Sequence, residues 1–481
     1  MRSKPKALLG LIALAAMLGA FVPRRTCAQA GTTEPAKTVG SGASSRGSSG
    51  DAPSSALRQE AQQILKQMSQ ITGLPIRSQV HYRVVSHAEA QRDILRNLQS
   101  QYTPQEFHIQ DAMLKAFGLV PANFRLRHFL ISFYTEQAAG FYDPRTKTMY
   151  IARWIPDAMQ PMVLSHELTH ALQDQNFGLE KFLYAHRQND DASAARQALV
   201  EGYATAAMLQ RIIAPAQLGN FFSIRALLGP MLAGQIEQFP VFSKAPFFFR
   251  YESLFPYVAG AGFAQQVLRR GGWKQLNATF HDPPETTKDF FDPEAYFRKL
   301  SLPKVTLPQP KALQRLKNLS LLEENTLGEL GVYVVVGQLI SQAEARQVAS
   351  GWLGDRYLLY ENRQNGHTTL VGRTLWTSPS FAKEFFKDEE AMLKKKYPAL
   401  QPRGKPRQDV FNATNADGRV MVLLRGREVL WAEGIPRHRG RAVLKFLRSL
   451  PSPTVTIAGS GARVRPSPGL GSKAGRSVRV K

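Results

Sequence analysis

Apolar and polar positions change period several times along this chain, and each change marks an element. Residues 56–72 carry a helical pattern. "QVHYRVV" (79–85) alternates and predicts a strand; Ser86 then caps a helix, with Glu89 three residues on as its capping-box partner. Thr103-Pro104, with Glu106 behind, opens another helix. In "FLISFYTEQAAGFYDPRTKTMYIARW" (129–154) two β-rich runs flank "DPRTK", which predicts a hairpin. A helix from about Gln160 to Asn176 follows, with Pro161 in its first turn and Gly178 at its end. A long helix runs from about Asp191 to Ile213, further helices fill 215–276, and "DPPETTKDFFDP" (282–293) reads as a proline-bounded loop. From residue 326 "TLGELGVYVVVGQLISQAEARQVASGW" reads as a helix. "DRYLLYE", "HTTLVGRTLW", "RVMVLLR" and "EVLWAEG" read as strands, with helices near 379–396 and 438–449. No internal repeat is evident.

These elements describe an α+β chain. A first domain covers 56–318, with 56–125 as its N-terminal lobe, and a small α+β module covers 319–450. The strands at 350–435 have a second reading, as part of the first domain's own sheet. Residues 31–55 form a Gly/Ser-rich linker, and 451–481 read as a disordered basic tail.

Composition adds an address. Arg2, Lys4 and Lys6 precede the apolar run "ALLGLIALAAMLGAFV" (7–22), and Ala28-Gln29-Ala30 has the small-x-small form of a signal-peptidase site. The run is short for a membrane span. The expectation is an exported protein, periplasmic or extracellular, cut after Ala30 and left without an integral membrane span; the alternative is an uncleaved N-terminal anchor. Cys27 is the only cysteine, so the mature chain has no disulfide, no thiolate metal site and no cysteine nucleophile. Removing the five positive side chains of residues 1–30 from a net charge of +25 leaves +20, which suits contact with an anionic envelope surface. An exported chain without an arginine-aromatic platform is not expected to bind nucleic acid.

"LSHELTHALQDQ" (164–175) brings in the chemistry. Four helical residues advance about 400° and roughly 6 Å, so His166 and His170 project from one face, one turn apart. Two imidazoles so placed can grip one Zn²⁺. Glu167, about 100° round the helix, reaches a water on such an ion and is the expected general base. A third protein ligand is needed. Glu201, in the apolar helical stretch "ARQALVEGYATAAM", is costly to bury without a partner, and a metal is one such partner. His186, Asp190 and Asp191 are rival ligands, for which a polar loop or helix cap is the simpler role. Asp174, one turn after His170, is a candidate to orient a ligand histidine.

"HELTHALQD" with "EGYA" downstream resembles the gluzincin class of zinc metallopeptidases, the Peptidase MA-like clan that includes thermolysin. The resemblance implies a zincin-like fold over about 129–300, a small sheet beside a helical lobe that carries the HExxH helix. It implies one Zn²⁺ held by His166, His170 and Glu201. "PYVAGAGF" (256–263) is similar to the PYxxGxxF helix of aminopeptidase-type members, which implies that Tyr257 donates to the developing oxyanion; Tyr251 and His281 are the fallbacks. The strand before the motif helix would form the upper rim of the cleft, with Gly140, Phe141 and Tyr142 lining it and a peptide or protein substrate adding as an extra strand. The chain departs from the thermolysin pattern at Val200, where an asparagine is usual, and at Thr205, where an aspartate supports a zinc histidine. The glycine-rich GxMEN strand of aminopeptidases is absent, which favours an endopeptidase. Metzincin spacing fails at Gln173 and Asn176.

Two other readings stand beside the exported peptidase. One is a non-catalytic gluzincin-like envelope scaffold, against which Glu167 argues. The other is a polyanion-binding protein. The C-terminal module holds no catalytic constellation: His367, Glu433 and His438 are scattered and read as surface or structural.

Overall fold

A computed structural model describes residues 53–137, 139–186, 189–213, 224, 239–404 and 407–453. The expected export signal, most of the linker, the segment 214–238 apart from Ile224, and most of the expected basic tail lie outside the described residues. The architecture is mixed α+β, with two sheets embedded in helices.

Helix α1 (Ser55–Thr72) starts at the Ser54 cap and buries Ala61, Ile64, Leu65 and Met68 on one face. Strand β1 (His81–Val85) leads through Ser86 into α2 (His87–Gln101). Here the Glu89 carboxylate takes the Ser86 N–H at 2.8 Å. In α3 (Pro104–Ala116) the Thr103/Glu106 capping box is complete. The run "FLISFYTEQ", expected as a strand, is instead helical: α4 spans Leu126–Gln137. Its buried positions, Leu126, Leu130, Phe133, Tyr134 and Gln137, recur at helical spacing. Burial on that stripe outweighs the β-branched and aromatic preference of the run. The hairpin itself is present but shorter. Strands β2 (Gly140–Asp143) and β3 (Thr148–Ala152) pair antiparallel around the turn, and β1 joins β3 in parallel. The order is β1-β3-β2, so β2 is an edge.

The motif helix α5 (Gln160–Phe177) begins with Pro161 in its first turn and ends at Gly178, whose φ of 67° suits a residue without a Cβ. Twelve consecutive residues of α5, Val163 to Asp174, are buried. Such a helix is covered on all sides, here by β2, α1 and α6. Helix α6 (Asp190–Ile212) lies against α5 on one side and α7 (Phe247–Ala278) on the other. The α6–α7 crossing is set by Gly202 and Gly260: a methyl group on either would overlap the backbone of the opposite helix. The expected loop at 282–293 contains a helical turn, Lys288–Phe291, and a second starts at Pro293.

Beyond it, β4 (Leu319–Asn325) precedes α8 (Gly328–Leu339) and α9 (Gln342–Ala349). The single helix expected over this stretch breaks at Ile340-Ser341, where Ser341 Oγ accepts from Glu344 N and caps a new helix. Strands β5 (Trp352–Asn362) and β6 (Thr368–Trp376) precede α10 (Pro379–Lys396). Strands β7 (Gln401–Pro402), β8 (Val410–Thr414), β9 (Arg419–Arg425) and β10 (Glu428–Ile435) follow, with α11 (Gly440–Ser449) last. They form a second, antiparallel sheet in the order β4-β5-β6-β10-β9-β8-β7, separate from the first. One apolar core runs from Ala61 of α1 through Leu168, Leu199 and Phe263 to Val334 and Trp431. No helix among the described residues is long and apolar enough to cross a membrane.

Candidate metal centre

His166 and His170 are each 1% exposed, and Glu201 of α6 faces them at 1%. The Nε2 atoms of the two histidines stand 3.1 Å apart. Glu201 Oε2 lies 3.1 Å from His166 Nε2 and 3.3 Å from His170 Nε2. These three are the one group of metal-ligating side chains that converges among the described residues. The spacing tests the fit of an ion. Tetrahedral ligands at Zn–N and Zn–O distances of about 2.0–2.1 Å sit about 3.3 Å from one another. The triangle has that size. Its donors also suit a cation: without one, two imidazole nitrogens face each other in a dry site, and one must carry a proton to avoid opposed lone pairs.

The electrostatics follow from this closeness. Burial lowers the His166 pKa, partly offset by Glu201. For His170 burial also lowers it, but the Glu201 carboxylate outweighs burial and pushes it up to about 9. Burial raises Glu201, yet the two histidines hold it down to about 2. The trio therefore stores one ion pair where a divalent ion would sit. Glu167, buried beside them, is pushed up to about 8 by desolvation, against the pull of His170. A cation held by the three donors acts in the opposite sense and favours its charged form.

Glu167 is held from the sheet. Its Oε2 accepts the Tyr142 N–H at 2.9 Å. That amide points away from β3, because Ala139, Phe141 and Asp143 alternate with it in the pairing to β3. Gly140 and Tyr142 thus turn their main-chain groups to the side on which no described strand pairs, beside the candidate base. All three expected rim residues, Gly140, Phe141 and Tyr142, are buried. The Tyr257 ring lies 5.7 Å from the His166 ring, at 27° to it. The fallbacks are elsewhere: Tyr251 packs on Tyr333, and His281 meets Phe177.

Asp174 departs from its expected role. It does not orient a ligand histidine; Oδ2 accepts from the Tyr142 hydroxyl at 2.9 Å and from Lys147 Nζ at 2.6 Å, and Oδ1 from Leu179 N at 3.2 Å. Asp174 lies four residues beyond His170 on α5, and its side chain is directed at the β2–β3 turn. The side chain that meets a candidate ligand histidine is Gln173, which the sequence pattern did not single out for that role. Gln173 Oε1 sits 2.7 Å from His170 Nδ1, and its amide donates to Val200 O at 3.0 Å. The (i, i+3) spacing from His170 was the available signal. His166 Nδ1 and Thr205 Oγ1 are buried without a partner among the described residues. The rival ligands lie outside the cluster. His186 is exposed, Asp190 bonds through its N–H to Asn325, and Asp191 accepts from Thr287.

A family model described as a domain of unknown function, DUF8575, matches residues 315–444, the C-terminal module. No curated protein matches the chain, and no solved structure does.

Proposed function

We propose that this chain is a zinc-dependent peptidase of the gluzincin kind, acting as an endopeptidase on exported or envelope proteins. The observation that supports it is the buried triangle His166–His170–Glu201 with Glu167 one residue away. When bound, the ion would be held by these three side chains, and it supplies Lewis-acid polarisation of the substrate carbonyl and of water. Glu167 takes a proton from the attacking water as the new C–O bond forms, and returns it to the leaving nitrogen as the C–N bond breaks. The Tyr142 N–H fixes one Glu167 oxygen and leaves the other for the water. Tyr257 donates to the carbonyl oxygen as negative charge grows there. The open edge of β2 aligns an extended peptide beside Glu167. The proposal of export rests on the N-terminal sequence, and the basic charge supports contact with an anionic surface.

The test is metal content matched to activity. Residues 31–481 and the Glu167→Gln and Glu201→Gln variants are purified, zinc per chain is measured, and casein cleavage is followed with and without chelator. The expected result is about one zinc in wild type and Glu167→Gln, far less in Glu201→Gln, and cleavage by wild type alone. Wild type without zinc overturns the reading. Zinc without cleavage of any protein substrate favours the scaffold.

A further inference from the structure

A second cavity lies along the same two helices that carry Glu201 and Tyr257. Its lining takes Asp190, Ala194 and Gln197 from α6 and Glu252 and Pro256 from α7. Its remaining walls are largely apolar, with Met113, Leu114, Phe248, Leu330 and Val334 among them. Gln197 is one helical turn before Glu201, and Pro256 adjoins Tyr257. The cavity therefore begins about one turn from the candidate metal ligand and runs toward the start of α6. Its free volume is about 120 Å³, room for about four water-sized groups.

The charge in this cavity is one-sided. Asp190 and Glu252 line it, and no lysine, arginine or histidine among the described residues does. Among the described residues no hydrogen bond or ion pair reaches the Glu252 carboxyl. Burial and then the Asp190 charge push it up to about 8. The nearby hydroxyls of Tyr102 and Tyr134 are buried without partners among the described residues. A carboxyl in an apolar cavity with no counter-charge is costly, and a cation entering the cavity removes that cost.

We propose that this cavity is a substrate subsite that receives a long basic side chain, lysine before all, with its methylenes against the apolar wall and its ammonium at Glu252. The proposal rests on the peptidase reading above. Four methylenes fill the apolar length, and the ammonium meets the carboxyl at its end. A neutral side chain of equal length leaves Glu252 unpaired and is discriminated against by that amount.

Two measurements separate this proposal from the reading it rests on. First, quenched-fluorescence peptides that differ at one position flanking the cleaved bond, with lysine, arginine, norleucine or glutamate there, are compared by kcat/KM. Lysine is expected to exceed norleucine at least tenfold, and the ratio to fall toward one in Glu252→Gln. Second, calorimetry on the Glu167→Gln protein compares Nα-acetyl-lysine amide with Nα-acetyl-norleucine amide, which needs no turnover. A tenfold preference for the lysine amide, lost with Glu252→Gln or with the cavity-filling Val334→Phe, supports the subsite. Cleavage with no preference for lysine, or equal binding of the two amides, overturns the subsite and leaves the peptidase reading intact. Lysine-amide binding through Glu252 without any cleavage overturns the peptidase reading and leaves the cavity as a site for a primary ammonium.

Discussion

Residues one step outside the His166–His170–Glu201 triangle decide how firmly its donors are placed. For His170 to present Nε2 to an ion, Nδ1 has to carry the proton. Gln173 Oε1 at 2.7 Å enforces that tautomer, and the Gln173 amide is itself tied to Val200 O beside Glu201. One side chain thus couples the two helices that supply ligands. Gln173→Leu keeps the volume and removes both bonds. Its zinc affinity, read by competition with a chromogenic chelator, is expected to fall about 10–100-fold. Asp174→Asn, one residue on, is expected to leave zinc affinity within about twofold and to lower thermal stability, because its bonds run to Tyr142, Lys147 and Leu179. Equal losses in the two variants would show that α5 as a whole, and not Gln173, positions His170. Among the described residues His166 has no equivalent partner at Nδ1, and Thr205 lacks one too. The two histidines are therefore held differently: Gln173 positions His170, and no side chain among the described residues does the same at His166 Nδ1.

Much of this site was legible because local chemistry announces it. HExxH is a short motif on one helix, and an acid amid "ALV" and "YATAAM" is conspicuous. Gln173 escaped notice because glutamine carries no charge and is common on helices. Elements were legible where caps are strong, as at Ser86/Glu89 and Thr103/Glu106, and misread where only composition spoke. "FLISFYT" has the residues of a strand and the burial of a helix, which only packing reveals. Gly202 and Gly260 lie on separate helices, so no local pattern announces the α6–α7 crossing they set, yet that crossing decides how Glu201 and Tyr257 stand toward α5. Glycine in a helix normally costs about 1 kcal/mol relative to alanine, so Gly202→Ala would stabilise an isolated helix. Here the added methyl overlaps the Gly260 backbone and has no flexible side chain to displace. Overpacking of this kind costs about 1–3 kcal/mol, and the net sign is destabilising. The expected result is a thermal midpoint lowered by several degrees and a loss of zinc affinity, since Glu201 adjoins the displaced position. A midpoint that rises would mean the two helices separate without cost.

At the scale of the whole molecule, buried acids sit at and beside the contact between the C-terminal module and the first domain. Asp355 accepts the first N–H groups of α8, from Leu327 at 2.8 Å and Gly328 at 3.0 Å. Lys288 pairs with Glu329 at 3.0 Å. Asp191, in the first turn of the ligand helix α6, accepts Thr287 N at 3.0 Å, and Thr287 Oγ1 accepts Leu330 N at 3.0 Å. Helix α8 buries Leu330, Val332, Val334 and Val336 in the shared core. Truncation after residue 318 is therefore expected to yield a chain that aggregates and binds no zinc, as judged by size exclusion and metal analysis. The acids also make the joint pH-sensitive. Burial pushes Asp191 up to about 7 and Asp355 up to about 6. Between an unfolded value near 4 and these folded values, the native state holds more protons than the unfolded one. Stability must then fall as pH rises through that window, and these groups add no further slope above it. Asp191→Asn tests the argument. Asparagine keeps the oxygen that Thr287 uses and places an amide where Asp191 Oδ2 has no partner among the described residues. The variant is expected to match wild type near pH 4.5 and to exceed it at pH 8 by on the order of 2 kcal/mol in denaturant titrations. A variant no more stable than wild type at pH 8 would mean that Asp191 is charged in the native protein.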